Sequence, residues 1–376
     1  MKQKLSVAPT FKNYDKKNLP KDILAGIIIM AVSIPISMGY AQISGLPAVY
    51  GLYGSVFPII LFALFSTSPQ FIFGVDAAPA ALVGAAVLGM GIEAGSKEAM
   101  TVVPVFTFFV ALWLLAFYFM NAGKLVNYIS APVMGGFITG ICTTIILMQA
   151  PKLMGSAAGT GELFELSEHI WEALHHINAA ALVMGIVALA ILVVSKRLVP
   201  KFPMAVVLMV TGALFTYFGP VKEWGVPTLS AVEPGMPRWY ILDFEAVFSV
   251  QKASEVIVLS LSVAVVIMAE TLLAENNFAQ KNGYRIDDNT ELLAFSIGNM
   301  AAAFTGCCPI NGSVSRTAMS EQYEGKTQLT GLVAGVSMIA VLLFCTGFIG
   351  YLPVPVLTAI VLSLIHISEP TRRTPI

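Results

Sequence analysis

Ten apolar runs separated by short polar stretches dominate the chain: residues 23–43, 49–65, 101–120, 132–149, 179–194, 204–218, 253–274, 289–305, 329–351 and 353–362. Most are long enough to cross a bilayer as a helix, which takes about 20 apolar residues. Pro35 is expected to break the first run, and Gly45-Leu46-Pro47 follows it. Two further stretches are apolar but too short and too interrupted to span. One is an extended lead-in at 71–76 followed by a short helix from Ala77 to about Met90, capped by Asp76. The other is Gly306-Cys307-Cys308-Pro309-Ile310-Asn311-Gly312 with a short helix after it, over 312–322. The stretches 155–176 and 219–252 are expected to be loops, the first polar and acidic, the second long and external.

The order of these elements repeats. Span, span, broken short helix begins at 23, 49 and 77, and again at 253, 289 and 312. An odd number of segments, seven, lies between the copies, so the second copy is inverted in the membrane. Inverted repeats with interrupted helices at matching positions point to a transporter whose site lies at the repeat interface.

Composition agrees with the pattern. The chain is 57% hydrophobic and 11% charged, against about 25% charged in soluble domains. With the N-terminus inside, 13 of the 21 basic residues fall on the inner side and five on the outer, with Arg316 in the membrane and Arg372 and Arg373 in the tail. That bias places residues 1–22 in the cytoplasm. A net charge of −1 gives no case for nucleic-acid binding. Cys142, Cys307, Cys308 and Cys345 all sit in apolar segments and form neither a disulfide framework nor a zinc spacing. No cleaved signal peptide is expected, and no nucleophile–base pair or metal set suggests an enzyme.

The chemistry concentrates after Gly306. Arg316 lies between two apolar runs, where an arginine costs about 2.5 to 3.5 kcal/mol at a helix centre. A helix capped by Asn311 or Ser313 presents free N–H groups and a positive dipole end. Ser313, Arg316 and Thr317 share one face of it. Amides, a hydroxyl and a guanidinium converging on one point make an anion site. The alternative is that Arg316 pairs with a buried carboxylate and only holds the bundle together. Glu270, a carboxylate deep within the span 253–274, marks an ion or proton pathway, or else reaches water at the end of its helix. Ser37 and Tyr40 flank Pro35 and either line the pocket or pack helices. His169, His175 and His176 among Glu162, Glu165, Glu168 and Glu172 read as a solvated loop rather than a metal site.

The run Asn299–Gly306 with Pro309–Ala318 resembles the SulP, or sulfate permease, family of anion transporters. So do Gly45-Leu46-Pro47-Ala48-Val49-Tyr50-Gly51-Leu52-Tyr53, Phe278-Ala279, Gly283-Tyr284-Arg285-Ile286-Asp287 and Asn289-Thr290-Glu291-Leu292. The resemblance covers residues 20 to about 361. It implies an all-α polytopic membrane protein with an inverted-repeat fold of seven plus seven segments, in which segments 1–4 and 8–11 form a core and 5–7 and 12–14 a gate.

On this reading residues 23–361 are the transmembrane domain, with a first repeat at about 23–218 and a second from about 253 that stops in segment 12. Residues 362–376 are expected to be a non-native tail, and the STAS domain that usually follows is expected to be absent. Carried over by residue, the anion site comprises Ser313, Ser315 and Arg316 with Ala77, Ala78 and Pro79; Tyr40 is added to it from its place beside Pro35. Glu270 and Asp76 are the ion-coupling carboxylates, for a proton or sodium ion, with no other cofactor. Ile36 stands where family members often have Gln, and Gly74-Val75-Asp76 where many have Ser-Val-Gly-Pro, so the substrate need not be sulfate. The expected activity is secondary active transport of a small anion in the bacterial plasma membrane. A passive anion channel and a nucleobase permease are the alternatives. The expected partners are the anion and the lipid bilayer, with a homodimer admitted.

Overall fold

The computed structural model describes residues 8–11, 14–128, 131–159, 163–199, 202–237, 239–248 and 252–365. They form fifteen α-helices and one two-stranded ladder. In order these are α1 (Leu19–Ile43), α2 (Val49–Tyr53), α3 (Phe57–Phe65), β1 (Phe73–Gly74), α4 (Ala77–Gly89), α5 (Lys97–Phe119), α6 (Ala131–Leu153) and α7 (Leu163–His175). There follow α8 (Ala179–Leu198), α9 (Met204–Phe218), α10 (Phe244–Phe248), α11 (Lys252–Asn282), α12 (Asp288–Phe304), β2 (Asn311–Gly312), α13 (Val314–Gln322), α14 (Leu329–Phe344) and α15 (Val354–Ile365). Among the described residues four helices are long and apolar enough to cross a membrane.

Local chemistry sets the helix ends. Asp76, Ser96, Asn178 and Asp287 each cap a helix with a side-chain oxygen that accepts a first-turn amide. Gly45 at φ 83° and Gly306 at φ 75° stop α1 and α12. In both, the next amide folds back onto the helix: Leu46 N–H donates to the Ala41 carbonyl and Cys307 N–H to that of Ala302, each at 2.9 Å.

Several expectations need correction. α1 runs through Pro35 without a break. The proline forfeits one backbone bond, and the helix continues on the bonds either side. The second run is two helices, because the chain turns at Gly54-Ser55-Val56 before Pro58. Gly54 sits against Cys307 Sγ, where a Cβ would come within 2.4 Å. The acidic stretch after Gly155 is helical over α7, with Leu166, Ile170 and Ala173 on one stripe; Leu166 and Ala173 are buried. The long stretch before α11 contains α10. The last helix reaches Ile365, beyond the expected start of the tail at 362, while 366–376, 1–7 and 12–13 lie outside the described residues.

The chain divides into two compact units. The first comprises Met1–Met134 with Pro237–Ile339, so it holds α1–α5 and α10–α13 with most of α14. The second comprises Gly135–Met236 with Ala340–Ile376. Within the first unit, Phe62, Phe73 and Phe295 stack with centroids 4.6 and 5.4 Å apart along the series. Ser296 on α12 donates to the Ala111 carbonyl of α5 at 2.8 Å. In the second unit, Gly185 on α8 lets Leu153 of α6 and Pro355 of α15 approach closely.

Candidate functional site

The site grows from the two strands. β1 and β2 pair antiparallel, Phe73 opposite Gly312 and Gly74 opposite Asn311, and each leads directly into a short helix. Two residues per strand are too few to hold alone, and side chains complete the pairing. Asn299 on α12 accepts from Ile310 N–H at 2.9 Å and donates to the Ile310 carbonyl at 3.0 Å, as a neighbouring strand would. Gly312 N–H donates to Thr271 Oγ1 of α11 at 3.1 Å. Ile72 N–H donates to Thr317 Oγ1 at 3.0 Å, and Ser313 N–H returns a bond to the Ile72 carbonyl at 2.8 Å.

Arg316 lies in the first turn of α13 and is fully buried. Its Nη2 donates to the Val75 carbonyl at 2.7 Å and stands 4.0 Å from Asp76 Oδ2; Nη1 is 3.5 Å from Ser33 Oγ. The guanidinium therefore crosses from α13 to the lead-in of α4. Gly74 makes room for it: a Cβ there would come within 2.9 Å of Nη1. Asp76 gives Oδ1 to the Ala77 amide at 2.8 Å. Glu270 is half-buried and accepts from Asn311 Nδ2 at 2.9 Å, within electrostatic reach of Asp76. Tyr40, buried, lies within electrostatic reach of Arg316.

The structure thus brings Tyr40, Asp76, Ala77, Ala78, Glu270, Ser313, Ser315 and Arg316 into one part of the first unit. Arg316, Ser313 and Ala78 are buried, while Asp76, Ala77 and Ser315 are partly exposed. The Ser313 and Ser315 hydroxyls are 3.3 Å apart. Ser37 instead bonds Ser55 at 2.7 Å, packing α1 against the turn after α2. One detail differs from expectation. The Ser313 amide is spent on the ladder and the Ala77 amide on Asp76, and Pro79 has none to give. The first-turn amides left by helix geometry are those of Ala78, Val314, Ser315 and Arg316. Asn311 Oδ1 and Arg316 Nε are buried with no hydrogen-bond partner among the described residues.

Sequence reasoning missed Ser33, Thr271, Asn299 and the Val75 carbonyl. Ser33, Thr271 and Val75 act through partners 41 or more residues away along the chain, and Asn299 and Val75 lay inside quoted motifs without their contacts being apparent. In the second unit, His169, Glu172 and His176 of α7 line a cavity of about 450 Å³ with Pro151 and Ser156. Among the described residues no three His, Cys, Asp or Glu side chains are placed to hold a metal ion.

Comparison with known proteins bears on the family and the fold. A sequence model described as the sulfate permease family matches residues 19–368. A probable sulfate transporter of Mycobacterium tuberculosis is 27% identical, covering 96% of this chain and 64% of its own length. Sulfate transporter 2.1 of Arabidopsis thaliana is 27% identical, covering 95% of this chain and 55% of its own length. The chain therefore spans less than two thirds of these curated relatives. Among solved structures, that of SLC26A9 superposes with a TM-score of 0.85 at 22% identity, over 96% of this chain and 59% of that one. The transmembrane domain of a cyanobacterium bicarbonate transporter, BicA, gives 0.82 at 18%, over 95% and 91%. The fold is the inverted-repeat transporter fold, all-α apart from the two-residue ladder, and the chain belongs to the sulfate permease family.

Proposed function

We propose that the protein moves a small inorganic or organic anion across the membrane by secondary active transport. The observation that carries this reading is the pair of short helices, α4 and α13, joined at their lead-ins by the ladder, with the Arg316 guanidinium buried across the join. Two helix N-termini and a cation raise the local potential in a setting that water does not fully screen. The anion takes the free amides of Ala78 and Ser315 and the Ser315 hydroxyl. Arg316 supplies field without needing to touch it, its Nη2 being committed to Val75.

Asp76 and Glu270 place two carboxylates beside this positive end. Such a pair repels an anion unless one of them is neutralised, so a bound proton or sodium ion favours anion binding. That is the physical basis for coupling. Sulfate, bicarbonate and a dicarboxylate are the substrates to try. The names of the relatives suggest the first two, and Ile36 with Asp76 changes the polar groups that would choose among them. The N-terminus faces the cytoplasm, and the membrane is the bacterial plasma membrane.

The test is uptake into proteoliposomes of each anion, with and without an inward proton or sodium gradient. Accumulation above the external concentration that collapses with the gradient supports the proposal. Flux that only follows the gradient of the anion itself identifies a channel and overturns it.

A further inference from the structure

α11 also carries Glu275, a buried carboxylate that the transport reading does not use. Glu275 is fully buried, and neither of its oxygens has a hydrogen-bond partner among the described residues. It follows Glu270 by five residues, about 140° further round the helix, so the two face different surroundings. Glu291 and Asp288 of α12 and Tyr284 of the α11–α12 connection surround it.

These neighbours are better provided for, although Glu291 Oε2 is itself buried with no hydrogen-bond partner among the described residues. Glu291 Oε1 accepts from Thr67 N–H at 2.6 Å, from Thr67 Oγ1 at 2.5 Å and from Ser68 N–H at 3.2 Å. Three donors thus converge on this one oxygen. Asp288 accepts from Asn276 Nδ2 at 2.9 Å. Burial pushes the Tyr284 phenol up to about 12, so it stays protonated, with its oxygen 3.5 Å from Ser68 Oγ. Lys281, the next base along α11, pairs with Glu321 at 2.6 Å.

Glu275 therefore sits beside carboxylates, out of water, with neither donor nor base. A buried carboxylate in that position is neutralised rather than left charged. A proton neutralises it there without needing any further ligand.

We infer that Glu275 is a proton-binding site, occupied in this conformation, at the end of the first unit nearest the α11–α12 connection. When that end opens to water, the O–H bond breaks, the proton passes to a water molecule and the electron pair stays on the carboxylate. The occupied state stands independently of the transport reading; release during a transport cycle rests on it.

Infrared spectroscopy of the full chain in liposomes at neutral pH tests the occupied state. A protonated-carboxyl stretch is expected in the wild type. It should lose one component in Glu275→Gln and keep that component in Glu270→Gln. The Glu275→Gln protein should also lose the fall in melting temperature with rising pH that follows when only the folded state holds the proton. An unchanged carboxyl band in folded Glu275→Gln overturns the inference. So does failure of that variant to fold, because a neutral isostere suits a site that holds a neutral carboxyl. Failure of anion uptake with the band behaving as expected would overturn the transport reading alone.

Discussion

Gly312 shows how little room the site leaves at the scale of one residue. A Cβ there would stand 2.1 Å from the Phe71 ring and 2.5 Å from Thr271 Cγ2. The sequence marks Gly312 as a helix breaker, but it cannot show that Phe71 and Thr271 close on it, because they lie about 240 and 41 residues away. Gly312→Ala should lower stability by about 1 to 3 kcal/mol, the usual cost of overpacking, measured as a fall in melting temperature in detergent. A melting temperature equal to wild type would mean the strand has space to shift.

Arg316 and Asp76 were legible as chemistry, since charges in apolar runs stand out. Their partner was not, because the Val75 carbonyl has no sequence signature. Glu270→Gln should abolish gradient-driven accumulation while leaving anion binding measurable by titration. Accumulation unchanged from pH 5 to 8 would reduce Glu270 to a support for Asn311.

Asn299 ties α12 to the segment that enters the strand before α13. Its side chain pairs with both backbone groups of Ile310 and also reaches the Phe295 carbonyl at 2.9 Å. Asn299→Leu fills similar volume but strands those groups, at about 1 to 3 kcal/mol for each buried group left unpaired. It should therefore destabilise the protein and weaken anion binding together. Full binding in a destabilised protein would separate the ladder from the site.

The elements themselves were readable where a period or a cap declares them: Asp76 before α4 and the apolar runs of α8 and α9 behave as their residues suggest. α7 was hidden because its acidic residues outweigh a narrow stripe through Leu166, Ile170 and Ala173. Pro35 misled in the opposite sense, since one missing amide does not end a 25-residue helix.

For the whole molecule, the order of spans and the repeat were legible because hydrophobic runs are long and their spacing recurs. The antiparallel ladder gives the repeat physical content, since two chains related by inversion meet there in opposite directions. The orientation that the positive charges imply has its own test. In a background with exposed Cys345 changed to Ser, Lys222→Cys should react with an impermeant reagent added outside cells and Lys281→Cys should not. The reverse pattern would invert the topology.

The claim at the centre of the account is that Arg316 creates the potential that holds an anion at the starts of α4 and α13. One charge at about 4 Å contributes roughly 4 kcal/mol at an effective dielectric near 20. Isothermal titration of monodisperse Arg316→Ala protein with the anion identified by uptake should give a dissociation constant at least about tenfold above wild type, or 1.4 kcal/mol. Arg316→Lys should lose less, because it keeps the charge but not the planar fork. Adding Asp76→Ala should leave most of the loss in place. Wild-type affinity in well-folded Arg316→Ala, or full rescue by Asp76→Ala, would show that the arginine only neutralises Asp76 and would contradict the account.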